Sequence, residues 1–289
     1  MQRVGFIGLG IMGLPMAGRL AKDGIPLCVW NRTPRHSEDF PAGTDVALSA
    51  SSRAVLRGSR TCILMLLDQD AVDAVLERQT DAFIENVQGR TIIAMGSVAP
   101  GYSMALAKDI TAAGGNYLEA PVSGSRTPAQ NGHLVCLLGG EPAVAKAAAP
   151  LLRPMCKDQI YCGSAGDALC MKLAINLYLC SSLVALAEAT NFARLAGLPL
   201  DKFSSAVMAG PMSSDFVAIK LPKMIKTDFA LQAGLADAHT STCLIQAEAQ
   251  RLGAATPQLD TSCELYLQAL RLLGPGVDMS SVIEAIARR

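Results

Sequence analysis

Lys172 and Asn176 stand four residues apart in a stretch rich in Ala, Leu and Met. On a helix, positions i and i+4 share a face, so an ammonium and a carboxamide would meet a small molecule from one rigid element. When hydride reaches a carbonyl carbon, negative charge collects on the oxygen. An ammonium within hydrogen-bond reach stabilises that charge and supplies the proton, typically for about 10²–10⁴-fold in rate. The pair therefore points to carbonyl chemistry with lysine as the proton donor.

A second set of residues suits phosphate. Gly8-Leu9-Gly10-Ile11-Met12-Gly13 follows the apolar run Val4 to Ile7 and opens a helical pattern, the context in which spaced glycines bind a dinucleotide. Gly8 permits the tight turn, Gly10 lets a pyrophosphate approach the backbone, and Gly13 lets helix and strand pack closely. N–H groups at the helix start then meet the phosphate charge. The next strand pattern ends Val29-Trp30-Asn31-Arg32-Thr33 with no acid, whereas a carboxylate there would bind the ribose hydroxyls of NAD. Arg32, helped by Asn31 and Thr33 and with Arg35 close in sequence, suits a 2′-phosphate. NADP(H) is the expected preference, with NAD(H) possible. A third set, Glu119-Ala120-Pro121-Val122-Ser123-Gly124-Ser125, runs from a strand into a hydroxyl-rich turn able to hold a carboxylate.

The elements that position these sets can be read from pattern. Short apolar runs at Val4 to Ile7, Pro26 to Trp30, Cys62 to Leu66, Thr91 to Ala94, Tyr117 to Leu118 and Leu134 to Leu138 alternate with helix-length segments. That alternation predicts parallel βαβ units and a doubly wound α/β sheet. Gly163-Ser164-Ala165-Gly166 then opens a stretch, 167–196, with neither Gly nor Pro. As a helix it spans roughly 45 Å at 1.5 Å per residue, long for a globular domain, and it suits a link between two domains. Everything beyond reads as further helices. The expected organisation is a dinucleotide-binding domain over 1–162 and an all-helical domain over 163–289 that begins with the long helix.

Composition narrows the function. Twenty-five basic residues balance 25 acidic ones, so no net field draws the chain to nucleic acid or an anionic membrane. No run of about twenty apolar residues is uninterrupted, because the most apolar helix carries Asn176, Ser181, Ser182 and Glu188. Nine cysteines without a Cys-x-x-Cys pair and three scattered histidines give no readable metal cluster. The expectations are a cytoplasmic chain with reduced thiols and no metal.

Val4 to Gly13, Glu119 to Gly132 and Gly163 to Asn176 occur in the order and spacing of the β-hydroxyacid dehydrogenase family, which the whole chain resembles. Trp30-Asn31-Arg32-Thr33 and Glu119 to Ser125 look most like the glyoxylate and succinic semialdehyde reductases of that family. The resemblance implies a Rossmann-type domain, a long interdomain helix and an all-α domain that builds a homodimer or homotetramer, with the active site in the interdomain cleft. Position by position it implies Lys172 as the catalytic lysine. Ser123, Gly124, Asn176, Phe229 and Asp237 would bind substrate, and Leu66 and Ser97 would join the glycine loop and Asn31-Arg32-Thr33 around the cofactor. The implied activity is NADPH-dependent reduction of a small aldehyde acid, or alternatively hydroxyisobutyrate-type oxidation of a hydroxyacid. Imine reduction and a non-catalytic cofactor-binding scaffold rank lower, because the lysine is retained. One departure bears on substrate: Ala236 stands where the family commonly has a lysine beside Asp237.

Overall fold

β1 (Val4–Ile7) lies between β2 (Leu27–Trp30) and β4 (Thr61–Leu64), parallel to both, and the register pairs Ile7 with Trp30 and with Leu64. The computed structural model describes residues 3–289. β3 (Val46–Leu48) extends the sheet beyond β2; β5 (Thr91–Ala94) and β6 (Asn116–Glu119) extend it beyond β4, giving the parallel order β3-β2-β1-β4-β5-β6. The run continues through β8 (Leu134–Gly140), antiparallel to β6, with β7 (Val122–Ser123) antiparallel and β9 (Cys156–Gly163) parallel to β8. The crossovers are α1 (Gly13–Lys22), α2 (Ser52–Gly58), α3 (Gln69–Leu76), α4 (Ala82–Val87) and α5 (Pro100–Ala112), while α6 (Arg126–Asn131) and α7 (Pro142–Leu152) flank β8.

Alternation along the strands explains why both sheet faces are covered. Phe6, Ile63 and Ile93 join one buried cluster, and Ile7, Leu64 and Ile92 join the other. Successive side chains of a strand point to opposite faces, so a strand buried on both sides reads as a continuous apolar run. Those were the runs visible in the sequence. β3, β7 and β9 were not, because β3 and β7 are only three and two residues long and β9 carries the polar run Lys157-Asp158-Gln159 and has no buried face of regular period. The expected Cys62 to Leu66 strand ends at Leu64, where the chain turns toward the glycine loop.

α8 (Asp167–Leu195) is the long helix, unbroken over 29 residues. It is long and apolar enough to cross a membrane by length and composition alone; Leu173, Leu183 and Ala187 are nonetheless buried in protein cores. The chain divides into two compact units, one ending at Lys172 and the other being Leu173–Arg289. That division falls within the early turns of α8, and the anticipated boundary at Cys162 falls within β9.

The second unit is helical. α9 (Leu200–Ala209), α10 (Asp215–Lys226), α11 (Leu235–Leu252), α12 (Pro257–Leu273) and α13 (Ile283–Ile286) follow the remainder of α8. Its core gathers Cys180, Leu183 and Val184 from α8 with Met224, Leu235, Tyr266 and Ile283. Tyr266 is fully buried and its hydroxyl donates to the Cys180 carbonyl, so the one polar atom it brings into the core is satisfied.

Candidate functional site

The glycine loop is shaped by close approach. Gly8 has φ +97°, and a Cβ there would lie 2.2 Å from the Met65 carbonyl oxygen; one at Gly13 would lie 1.8 Å from the Gly8 oxygen. No other residue fits either position. Gly10 differs, since a Cβ there would meet nothing within 4 Å. The space beside Gly10 opens onto the start of α1, whose first turn carries neither an acidic side chain nor a side-chain cap. Open backbone at Gly10 and a helix N-terminus free of acidic side chains suit the pyrophosphate of a dinucleotide.

Two residues of the β2 end hold this loop. Asn31 Oδ1 accepts from Leu9 N at 2.8 Å and its Nδ2 donates to the Thr33 carbonyl, while Arg35 Nη2 donates to the Leu9 carbonyl at 2.6 Å. Both backbone polar groups of Leu9 are thus taken by side chains. Arg35, which sequence proximity suggested as a helper for a 2′-phosphate, is engaged with the loop backbone. Arg32 and Thr33 are exposed. Ile11 stands exposed at the loop tip, whereas Met12 packs partly against the core.

Leu66 adjoins the loop through its side chain, and Gly96, the residue before Ser97, adjoins Leu66. A Cβ on Gly8 would come within 3.1 Å of Leu66 Cδ2, and one on Gly96 within 2.4 Å of the Leu66 carbonyl oxygen. The turns after β1, β4 and β5 therefore stack side by side at the carboxyl ends of parallel strands, where open α/β sheets bind ligands. The Leu66 carbonyl leaves no room for a side chain at Gly96.

The helix start that carries Lys172 is held by a buried carboxylate. Glu119 ends β6 fully buried, and its carboxylate accepts from Gly166 N and Ala168 N at 2.8 Å and Leu169 N at 3.1 Å. Ser103 on α5 donates to the same carboxylate; because a hydroxyl has one proton, the Tyr117 hydroxyl 2.7 Å away must donate to Ser103. Burial pushes the Glu119 carboxyl above the usual carboxylate range, and the Ser103 hydroxyl and the three backbone donors oppose that push. Asp167 takes another N–H of the helix start, that of Ser164 at 2.8 Å. Lys172 lies on the next turn and is 8% exposed. The only sequence signal for Glu119 was its place at the head of the Ser123 motif.

Ser123 closes the short strand β7 opposite Val135, and Gly124 follows with φ +128°, where a Cβ would also press on Leu134 and Pro128. The residues supplying Ser123 and Lys172 belong to segments joined through Glu119. In the helical unit, Asn176 Nδ2 donates to Ser241 Oγ at 2.8 Å, and its buried Oδ1 has no hydrogen-bond partner among the described residues. Asp237 lies in the first turn of α11, exposed as a residue, with desolvation raising its carboxyl above the usual range. Phe229 is half-buried against the helical core, and its carbonyl accepts from Asp278 N.

The loop carrying Phe229 is held by charges the sequence did not flag. Asp278 is fully buried; it pairs with Lys220 at 2.7 Å and accepts from Gln232 N, Ala233 N and Ser280 N. Lys223 donates to the carbonyls of Asp228 and Ala230. Lys220 and Asp278 are separated by 58 positions, so no local pattern reveals the pair.

Residues 3–164 match the family model described as the NAD binding domain of 6-phosphogluconate dehydrogenase, and 166–286 match the one described as NAD-binding of NADP-dependent 3-hydroxyisobutyrate dehydrogenase. The chain is 31% identical over 286 residues to the 2-hydroxy-3-oxopropionate reductase of Escherichia coli, covering 99% of this chain and 97% of that one. It belongs to the 3-hydroxyisobutyrate dehydrogenase family. The glyoxylate/succinic semialdehyde reductase 2 of Arabidopsis thaliana is 30% identical over 283 residues, 98% of this chain and 79% of that relative. A solved 3-hydroxyisobutyrate dehydrogenase of Mycobacterium tuberculosis with L-serine shares the fold at TM-score 0.87 and 22% identity over 99% of each chain. Family and fold together make this member an NAD(P)-dependent oxidoreductase of small molecules.

Proposed function

We propose that this protein is a hydroxyacid dehydrogenase of the hydroxyisobutyrate type, interconverting a small β-hydroxyacid and its aldehyde acid with NADP(H). The reading rests on one observation above the rest: the lysine that can hold the reacting oxygen sits on a helix start clamped by Glu119, inside a family match running through both halves of the chain. Bound NADP(H) supplies or accepts hydride at the substrate carbon. Lys172 stabilises charge on the reacting oxygen and moves its proton, taking it during oxidation and giving it during reduction. Ser123 and the Gly124 backbone receive the carboxylate. Asn176, fixed by Ser241, presents its unpaired Oδ1 as an acceptor for a substrate hydroxyl. Asp237 and Phe229 are the further substrate-binding residues in this reading.

Arg32 and Thr33 carry the preference for NADP(H), as the exposed donors beyond the Asn31 clamp. The physiological assembly is a homodimer or homotetramer in the cytoplasm; Tyr178, Phe192 and Leu195 on α8 are 73%, 72% and 80% exposed, apolar surface suited to a second copy.

A second reading, reduction of glyoxylate or succinic semialdehyde, is supported by the activities named for two relatives aligned over nearly the whole chain. Ala236 separates the two, because a missing cation beside Asp237 weakens capture of a compact, highly charged substrate more than of a branched one. Steady-state assays decide: hydroxyisobutyrate with NADP+ and NAD+ in one direction, glyoxylate, succinic semialdehyde and methylmalonate semialdehyde with NADPH in the other. The first reading requires the branched pair to have the highest kcat/KM. Preference for glyoxylate or succinic semialdehyde installs the second, and turnover of neutral carbonyls or imines alone rejects both.

A further inference from the structure

His239, Cys243 and Cys263 bring three ligand atoms within 4.8 Å of one another in the helical unit. We propose that they form a zinc site clipping α11 to α12, with solvent completing the coordination. No metal set is legible in the sequence, because only His239 and Cys243 are local to each other and Cys263 arrives from the next helix. Their i, i+4 spacing was the one available signal.

The geometry is that of a tetrahedral site before closure. Two thiolates at about 2.3 Å from a tetrahedral zinc lie about 3.8 Å apart, and a thiolate and an imidazole nitrogen about 3.6 Å apart. Cys243 Sγ and Cys263 Sγ are 3.8 Å apart, and Cys243 Sγ lies 3.7 Å from His239 Nε2. Two edges of the ligand triangle are already at coordination spacing. The chemistry of the donors, two sulfurs and one imidazole, selects zinc or another thiophilic cation over magnesium or calcium. Cys263 is buried and His239 half-buried, so two ligands are held by packing, while Cys243 is exposed and leaves an entry path.

The site is separate from the proposed reaction site. At 100° per residue, Asp237 and Ser241 project from one side of α11, and His239 and Cys243 from the opposite side. One turn further along, Gln246 Nε2 donates to Asp260 Oδ1 at 2.8 Å, so the same two helix faces are already in register beyond the sulfur pair. A bound zinc would fix α11, the helix that carries Asp237 and Ser241, against α12.

Cobalt reports the ligand set directly. Full-length protein, reduced and stripped with chelator, is titrated with Co2+; one equivalent is expected to give thiolate-to-cobalt charge transfer and the intense visible bands of a tetrahedral site. Zinc should displace the cobalt and raise the Tm. Cys243→Ser, at an exposed position, should abolish the charge-transfer band and the zinc-dependent Tm shift while keeping the metal-free Tm. His239→Gln should weaken binding at least tenfold. Cys28→Ser, in the other unit, should behave as wild type. Absence of thiolate bands in reduced wild-type protein overturns the site, as does their persistence in Cys243→Ser. Neither result bears on dehydrogenase activity.

Discussion

At the scale of single residues, the two arginines after β2 separate by geometry. Arg35 holds the Leu9 carbonyl and Arg32 faces solvent, so they should fail differently. Arg32→Ala is expected to raise KM for NADPH about 10- to 100-fold, the worth of a charge-assisted hydrogen bond to phosphate, and leave NADH nearly unchanged. Arg35→Ala should weaken both cofactors alike, because it loosens the loop that binds the shared pyrophosphate. Kinetics with the two cofactors on both variants would expose the reverse pattern if the assignment were mistaken. The glycine spacing revealed the loop itself. Its buttresses could not be foreseen, because hydrogen bonds from Asn31 and Arg35 to Leu9 depend on how β2 ends beside β1.

At the scale of elements, the start of α8 matters most. Its length was readable from thirty positions without Gly or Pro, and the strands buried on both faces were readable as apolar runs. Glu119 was not readable as a clamp, because its backbone partners lie 47 to 50 positions away. Glu119→Gln keeps size and removes charge, but turns an amide donor toward backbone donors. An unsatisfied buried pair of this kind costs about 1–3 kcal/mol. The variant should lower kcat by on the order of tenfold or more through displaced Lys172, with NADPH affinity unchanged. Equal losses in kcat and cofactor binding would mean a general loosening of the sheet instead.

At the scale of the molecule, each unit has its own core, and the helical one carries its own acid sensitivity. Burial alone would raise the Asp278 carboxyl, yet its backbone donors and the Lys220 ammonium outweigh that and hold it below the usual range. A carboxyl lowered on folding contributes stability above its unfolded value of about 3.9, and that contribution is lost as pH falls through the folded value. The helical unit should therefore lose stability as pH drops below about 4, and Asp278→Asn should flatten this dependence. By leaving Lys220 buried and unpaired, the variant should also cost about 3–5 kcal/mol at neutral pH, measurable by urea unfolding. An Asp278→Asn protein as stable as wild type at pH 7 would place the pair outside the folding energetics.

The central claim is that Lys172, presented by α8, handles the proton of the reacting oxygen in an NAD(P)-dependent exchange of hydride. The most direct test is Lys172→Ala, assayed on the best substrate of the panel alongside fluorescence titration of NADPH. A fall in kcat of about 10²–10⁴-fold with NADPH binding intact is the predicted result; near-normal turnover by the variant would contradict the account.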